Sequence, residues 1–234
     1  MSRRTLAVAA VGALMCSAAS GARAQQTTNE AWPELDVFWT DHSGSYRLFG
    51  MASINRTSDA ASRQGTLGVH ADYVSASGFL LWPLGFYVRL GYRQIESIPA
   101  GTYHEQRALI EMTAAAPVDG GMLRLENRAR IEQRWISGVP SERFRDRIRV
   151  DHRYAVGNGW AFAPYGAYEV YWETQHHPLV RSAYRLGTVV GRTGPAKVDA
   201  SYARQDNRFG SPRHVNAVAV TVSLHYGGPK GAKR

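Results

Sequence analysis

The sequence contains a single cysteine, Cys16, and it lies in an N-terminal segment that has the features of an export signal. Two arginines precede a short apolar run at 6–15, and the residues at 22–24 form a small-x-small cleavage site. We therefore predict that residues 1–24 are a cleaved signal peptide and that the mature chain has no thiol. A chain without thiols forms no disulfide and has no cysteine nucleophile, which suits an oxidising periplasm.

Long hydrophobic runs are also missing. Beyond the signal there is no apolar stretch near 20 residues, which excludes a protein that crosses a membrane with helices. Linkers and low-complexity segments are absent as well, so residues 25–226 are predicted to form one barrel domain, followed by a basic tail at 227–234. The formal net charge is +9, but the arginines alternate with acids in an exported chain, so nucleic acid is not an expected partner.

What the sequence has instead is a strict period of two between Met122 and Val156. In two arms joined by the segment SGVPS, charged residues occupy every second position. The positions between the charges of the second arm are Phe144, Asp146, Ile148, Val150, His152, Tyr154 and Val156. A period of two indicates strands, because a 3.6-residue period would spread the charges around a helix. At about 3.3 Å per residue each arm exceeds ~35 Å, enough to cross a bilayer when tilted.

This pattern predicts an all-β, antiparallel transmembrane β-barrel with the charges facing the lumen, because an arginine on the lipid face at the bilayer midplane costs about 2–4 kcal/mol. The residues predicted to face the lumen are Arg124, Glu126, Arg128, Arg130, Glu132, Arg134, Arg143, Arg145, Arg147, Arg149, Asp151, Arg153, Glu169, Glu173, Arg181 and Arg185. Two interpretations remain open. Either arginines and carboxylates interlock and fill the lumen, or the excess of arginines lines a narrow passage that favours anions.

Eleven alternating segments can be counted between Glu34 and Tyr226. Because single-chain bacterial barrels have an even number of strands, we predict ten or twelve, with twelve favoured. Ten strands result if the segment 34–41 lies outside the wall, and twelve result if a strand before Gly85 has been missed. Tight turns at 117–121, 157–159 and 193–195 alternate with longer polar loops, which predicts that these turns face the periplasm.

Aromatic residues on the outward face fall near the ends of the predicted strands. The predicted aromatic belts consist of Trp135, Phe144, Trp172 and Tyr184 at the outer ends and of Tyr154, Phe162 and Tyr226 at the inner ends. Amphipathic rings prefer the level of the lipid headgroups, so two aromatic levels that flank an apolar band indicate a bilayer.

In the order and spacing of several blocks the chain resembles the DUF2490 family, uncharacterised proteins thought to form outer-membrane barrels. The blocks are LDVFW near the start, RLGYR at 89–93, LENRARIEQRW at 125–135, RFRDRIRV at 143–150, PYGAYEVYW at 164–172, YARQDN at 202–207 and HVNAVAVTVSLHY at 214–226. The resemblance implies a barrel in the outer membrane of a Gram-negative bacterium and supplies no activity and no catalytic residue. One departure is that the chain continues past the terminal aromatic, Tyr226.

Two other functional classes remain as alternatives. An outer-membrane lipid-modifying enzyme could use Ser223 and His225, which share a face of the last predicted strand, although no positioned acid accompanies them. A soluble periplasmic ligand-binding barrel of lipocalin type would reverse the two faces and place the arginines in water.

We predict no catalytic residue and no cofactor. We also predict no metal site, because the adjacent histidines at 176–177 lack carboxylates at metal-ligand spacing. The expected partners are outer-membrane lipids and, during assembly, periplasmic chaperones and the barrel-insertion machinery. The chain is expected to be a monomer. Its predicted role is structural or that of a porin-like, narrow, anion-leaning conduit.

Overall fold

A computed structural model describes residues 27–57, 63–75, 85–98, 103–118, 123–174, 179–192, 194–208 and 212–228. The regular elements of this part of the chain are β1 (Thr27–Thr40), β2 (Tyr46–Thr57), β3 (Arg63–Ser75), β4 (Gly85–Ser97), β5 (His104–Val118), β6 (Leu123–Ile136), β7 (Val139–His152), β8 (Tyr154–Gly157), β9 (Trp160–Glu173), β10 (Leu179–Arg192), β11 (Ala196–Asn207) and β12 (His214–Gly227). None of the described segments is a helix of sufficient length and apolarity to span a membrane.

Eleven strands close into a ring, and the short strand β8 lies outside it. Neighbours along the chain pair antiparallel from β1 to β7, β7 then pairs with β9, and the series continues to β12. The ring closes where β12 pairs with β1, and this pairing is parallel, with Thr27 beside His214 and Thr40 beside Gly227. The start of β1 and the end of β12 therefore lie at opposite ends of the barrel.

Strand β8 continues the line of β7 after a break at Arg153. Tyr154 lies opposite Phe162 of β9, in the same register in which Asp151 lies opposite Tyr165. Apart from β8, the strands have 12 to 15 residues. A tilted strand needs about 9–11 residues to cross a bilayer, so each member of the ring is long enough.

The predicted fold class, an all-β barrel of ten to twelve strands, is confirmed, and two details differ. The segment 34–41 belongs almost entirely to β1 and lies in the wall. The ring contains an odd number of strands, so its first and last members run in the same direction and one pair is parallel. The expectation of an even number did not hold because no pattern within a single strand specifies how the last strand meets the first. The sequence analysis allowed for a missed strand before Gly85, and the residues directly before it, 76–84, lie outside the described residues.

The strand directions place the connections after β5, β8 and β10 at the end where β12 finishes. These are the three turns predicted at 117–121, 157–159 and 193–195. Loop length does not distinguish the two ends of the barrel, however. Residues 76–84 separate β3 from β4 at this same end, and only Ser137 and Gly138 connect β6 to β7 at the other end.

The hairpin predicted from Met122 to Val156 is formed by β6 and β7, and its turn is shorter than expected. Residues 139–141 pair with β6, whereas the sequence pattern placed them in the connection. Ser137 (φ 49°) and Gly138 (φ 86°) both have left-handed backbone, which allows a two-residue turn that matches the twist of the strands. The missing N–H of Pro140 is tolerated because this residue lies at the start of its strand.

The barrel is polar inside and apolar outside. Glu111 and Glu132 are completely buried, whereas Leu67 and Val69 are 68% and 67% exposed. The described buried apolar cluster is small and consists of Phe38, Phe49 and Met51. A soluble barrel of lipocalin type has the opposite arrangement, with its apolar side chains inside.

The residues of the predicted aromatic belts lie on outward positions. Phe144 packs against Trp172 with ring centroids 5.2 Å apart, and Tyr154 stacks on Phe162 at 4.9 Å. Further exposed aromatic residues near the strand ends on the side of Tyr226, not included in the predicted belts, are Trp39, Tyr46, Tyr73 and Trp160.

Candidate functional site: an ion-pair lattice in the lumen

The register of the strands lines up charges across the inner wall. In the order of the strands from β2 to β10, directly opposite one another lie Arg47, Asp72, Arg89, Glu111, Arg130, Arg145, Tyr171 and Arg181. Side chains at opposite positions of neighbouring strands are within reach of each other. We call the inward-facing charged residues of β2 to β9 that pair with one another the ion-pair lattice.

Asp72 holds two arginines at one edge of the lattice. Its Oδ2 lies 2.5 Å from Nη2 of Arg47, and its Oδ1 accepts a hydrogen bond of 2.7 Å from Nε of Arg89. Both guanidinium groups also lie over aromatic rings, Arg47 at 4.7 Å from the centroid of Phe38 and Arg89 at 4.6 Å from that of Phe49. A cation over a ring face contributes about 0.5–2 kcal/mol, so the rings add to the stabilisation that the carboxylate provides.

Glu132 lies at the centre of the lattice and is surrounded by four arginines. Its carboxylate oxygens are 3.0 Å from Arg145, 3.3 Å from Arg130, 3.4 Å from Arg107 and 3.7 Å from Arg143. Arg143 and Arg145 belong to the next strand of the hairpin, β7, and Arg107 belongs to β5. This one carboxylate therefore connects three adjacent strands.

Glu111 has a similar position on β5. It accepts a hydrogen bond of 2.7 Å from Nε of Arg130, and Arg128 and Arg89 follow at 3.6 Å and 3.7 Å. Because Arg130 contacts both Glu111 and Glu132, the two buried carboxylates are joined through one guanidinium group.

Some contacts pass over a whole strand. Arg128 and Arg134 of β6 reach across β7 to Glu169 and Glu173 of β9, each at 2.9 Å. The hydroxyl of Tyr171 donates a hydrogen bond of 2.8 Å to Glu169. Such contacts require long side chains that extend towards the barrel axis, so the lattice occupies the lumen as well as its wall.

The free-energy cost of burying the charges of the ion-pair lattice is offset only if each carboxylate has several partners. Removing an ion from water costs several kcal/mol, which a buried pair recovers only with close contacts and additional hydrogen bonds. Glu132 and Glu111 meet this condition because several guanidinium groups face each of them. Deleting Glu132 would take a carboxylate from four arginines at once and leave each of them with a single carboxylate within 4 Å.

The opposite side of the lumen is lined by small residues, and we call β10 to β12 the small-residue wall. Its inward positions include Ala183, Gly187, Ser201, Ala203, Ala217 and Ala219. Tyr165 of β9 reaches across Gly187, and its hydroxyl donates a hydrogen bond of 2.8 Å to Asp199 of β11. A Cβ on Gly187 would lie 2.8 Å from Cζ of Tyr165, so the ring can take this position only because residue 187 has no side chain.

A row of stacked rings from β12, β1, β2 and β3 connects the two sides. His225 stacks on Phe38 at 4.6 Å, Phe38 on Phe49 at 4.4 Å, and Phe49 on His70 at 4.7 Å. The ring of His70 occupies the space that a side chain at Gly91 would need. The histidine of the Ser223–His225 pair, which the enzyme alternative would use, is therefore part of an aromatic row.

The structure pairs most of the residues predicted to face the lumen. Those with an oppositely charged partner within 4 Å are Arg124, Glu126, Arg128, Arg130, Glu132, Arg134, Arg143, Arg145, Arg147, Arg149, Asp151, Glu169 and Glu173. Arg181 donates to Oδ1 of Asn207 at 2.8 Å, and Arg185 forms no salt bridge with any described residue. Arg153 is exposed in the break between β7 and β8 and lies outside the lattice.

Several important residues escaped the sequence analysis, among them Arg47, Asp72 and Asp199. The inward face of β3 carries no charge besides Asp72, so this strand lacks the repeated charges that identified β6 and β7. Only the register shows that Asp72 lies between arginines of β2 and β4. The described residues contain no group of three or more histidines, cysteines or acids that could hold a metal ion, and the histidines at 176–177 lie outside them.

Comparison with known proteins gives a likeness of fold. No family model and no curated protein matches the chain. The solved structure of LpxR from Salmonella typhimurium resembles it with a TM-score of 0.52 and 8% identity, over 82% of this chain and 87% of that chain. The β domain of the Bordetella autotransporter BrkA gives a TM-score of 0.45 at 15% identity, over 76% and 82% of the two chains. OmpT of Vibrio cholerae gives 0.37 at 11% identity, over 69% and 54%. The likeness to LpxR shows the barrel fold alone.

Proposed function

We propose that this chain is an outer-membrane β-barrel whose ion-pair lattice closes the lumen, and that its role is structural. The observation that carries the proposal is the reversed polarity of the molecule, with Glu111 and Glu132 buried inside while Leu67 and Val69 are exposed outside. A contiguous apolar exterior is unfavourable in water and favourable in lipid. A closed ring of strands satisfies its backbone within the wall, as a hydrocarbon environment requires.

The proposed location is also supported by the predicted signal peptide and by the aromatic residues near the strand ends. Outer-membrane lipids would surround the wall, and the assembly partners would be periplasmic chaperones and the barrel-insertion machinery. Membership of the DUF2490 family stays a prediction from the sequence.

The lattice supports a structural role over open transport. Barrels of about eight strands are filled by their side chains, whereas those of 16–18 strands leave an aqueous channel. Eleven strands lie between these cases, and here arginine, glutamate and tyrosine side chains extend over neighbouring strands into the interior. The density of ion pairs across β4 to β9 is what closes the passage in this proposal.

A narrow anion-leaning conduit is the second candidate, and one observation favours it. Arg181 and Arg185 face the lumen from β10, and neither forms a salt bridge within 4 Å with a described carboxylate. Cations that lack a close counter-ion attract anions into a narrow passage.

Two measurements test these proposals. Cell fractionation should recover the protein in the outer membrane, and the unboiled protein should migrate differently from the boiled protein on a gel. Recovery in the soluble periplasmic fraction would refute the membrane proposal. In planar bilayers the closed barrel should give no steady current, whereas a steady current with anion selectivity would replace the structural role with the conduit.

A further inference from the structure

A polar pair interrupts the apolar outer wall on the strands β6 and β7. The amide Nδ2 of Asn127 donates a hydrogen bond of 2.8 Å to Oδ1 of Asp146; Asn127 is exposed and Asp146 is half-buried. The surrounding outward residues are apolar, and the most exposed of them are Leu125, Ile131, Phe144, Ile148 and Val150. The pair is therefore a polar island in a surface that is otherwise suited to lipid.

The position of Asp146 makes this island unusual within the molecule. It lies in the middle of β7, seven residues after Val139 and six before His152. Among the described strands, every other outward Asp, Glu, Lys or Arg lies within three residues of a strand end, as Glu142 and Arg204 do. Charges near the ends can reach the headgroups, whereas a charge in the middle of a strand faces hydrocarbon.

An ionisable residue at such a depth is costly and usually has a polar partner. Asn127 provides only part of this partnership. Its amide has a second N–H, whose nearest acceptor is the carbonyl oxygen of Arg147 at a long 3.5 Å. The second carboxylate oxygen of Asp146 has no hydrogen bond to the described residues. An unbonded acceptor of Asp146 and a weakly bonded donor of Asn127 thus lie side by side on the outer surface.

From this arrangement we infer that the outer face of β6 and β7 is an interface with a second copy of the chain. The inference rests on the proposed membrane location, because in water the pair would need no partner. A two-fold axis brings the same patch of both copies together, so that residue i of one copy meets residue j of the other. Around such an axis the second N–H of Asn127 faces the unbonded oxygen of Asp146 in the partner and exchanges its long contact of 3.5 Å for a hydrogen bond to a carboxylate.

The neighbouring residues suit close packing around the axis. Ala129 lies directly opposite Asp146 across the β6–β7 ladder and lets the two walls approach, and Ile148 lies opposite Asn127. Ile131 and Ile148 are 55% and 50% exposed and supply apolar contact area. The inference replaces the monomer expected from the sequence with a dimer that uses the hairpin of the charged strands.

Cysteine cross-linking in native outer membranes tests the interface, since the mature chain is predicted to contain no other thiol. An Ile148→Cys variant should form a disulfide-linked dimer under mild oxidation. A Val69→Cys variant is the matched control, because Val69 is also apolar, is more exposed than Ile148 (67% against 50%) and lies on β3, four strands away from β7. Equal cross-linking of both variants, no cross-link at either, or a cross-link from residue 148 to a different protein would overturn the inference.

A second set of variants tests the polar island. In the Ile148→Cys background, Asn127→Leu should reduce the cross-linked fraction several-fold, and Gln106→Leu, which changes an exposed outward glutamine of β5, should leave it unchanged. An undiminished cross-link in Asn127→Leu would contradict the self-complementary contact. Gel mobility of the unboiled protein is recorded for each variant. A folded barrel in the outer membrane without a dimer refutes this inference alone, whereas absence from the membrane refutes the proposed function.

Discussion

The two sides of the lumen fill its interior with opposite kinds of side chain. On β4 to β9 the inward residues are long and charged, with Glu132 contacting four arginines. On β10 to β12 small residues predominate beside a few long ones such as Arg181 and Arg185, and Ala203 and Ala217 are only 2% exposed. Long side chains need space beyond their own wall, and small residues on the facing and neighbouring strands provide it, as Gly187 does for Tyr165.

The difference predicts which kind of substitution destabilises each side of the barrel. We call β4 to β9, with their charged inward face, the charged wall. Its buried charges are stabilised by oppositely charged partners, so the removal of a partner should destabilise it most. The small-residue wall leaves room for side chains of neighbouring strands, so adding atoms to it should lower the stability of the barrel. Four substitutions test this difference between the two sides of the lumen and how far it extends.

The largest effect is expected on the charged wall, for Glu132→Leu. The substitution leaves four guanidinium groups without their shared carboxylate, and loss of one partner of a buried ion pair costs about 3–5 kcal/mol. Urea unfolding of the barrel in lipid vesicles measures the change. The control is Glu142→Leu, which removes a carboxylate from an exposed position on the outer surface of β7 and should cost much less. Similar losses in both variants would mean that the lattice does not stabilise the barrel.

The next largest effect concerns the two faces of the charged wall. Ile131→Arg places a cation on the outer surface of β6, where burial in lipid costs about 2–4 kcal/mol near the midplane. Arg147→Gln removes an inward cation but leaves a side chain that can still donate to Glu126, its partner at 2.7 Å. The fraction of heat-modifiable protein in the outer membrane should fall far more for Ile131→Arg. Equal effects would show that the faces are assigned incorrectly.

A smaller effect is expected on the small-residue wall, for Gly187→Ala. The new Cβ would lie 2.5 Å from Cβ of Ser201 and 2.8 Å from the backbone oxygen of Ala200, and such overpacking costs about 1–3 kcal/mol. Gly166→Ala on β9 is the control, because its Cβ would meet only Leu186 at an ordinary 3.6 Å. Urea midpoints should fall for Gly187→Ala alone. An unchanged midpoint would show that this wall has free space.

The smallest effect lies outside both walls, in the turn between β1 and β2. The Ser43 hydroxyl and the backbone N–H of Tyr46 donate to the Asp41 carboxylate and hold its pKa below the ordinary 3.8. A lowered pKa in the folded state contributes stability above the unfolded-state value and loses it as the pH falls through the folded-state value. The stability difference between wild type and Asp41→Asn should therefore shrink below about pH 3.8. A difference that is constant from pH 6 to pH 2 would contradict this assignment.

Local alternation predicted the strands well where charges repeat and poorly where they do not. The arms of β6 and β7 were found because six charged residues share a face in each. The start of β1 was missed because Thr27 to Pro33 carries no regular alternation of apolar residues. The turn at Ser137 and Gly138 was predicted too long because a proline follows it, although the pairing continues through Pro140.

The candidate site was predictable in its composition and not in its contacts. Arg128 and Glu169 are 41 residues apart in the sequence and meet only because β6, β7 and β9 are adjacent. Asp72 gave no signal by itself and becomes a partner of Arg47 and Arg89 through the register of three strands.

The pattern of residues along the chain specifies that long strands form and which side chains share a face, because side-chain direction alternates with every residue of an extended chain. Contacts between strands set how many strands close the ring, that β1 runs parallel to β12, and which arginine meets which carboxylate. These outcomes depend on contacts between residues distant in the chain, and the period of a single strand contains no information about its neighbours.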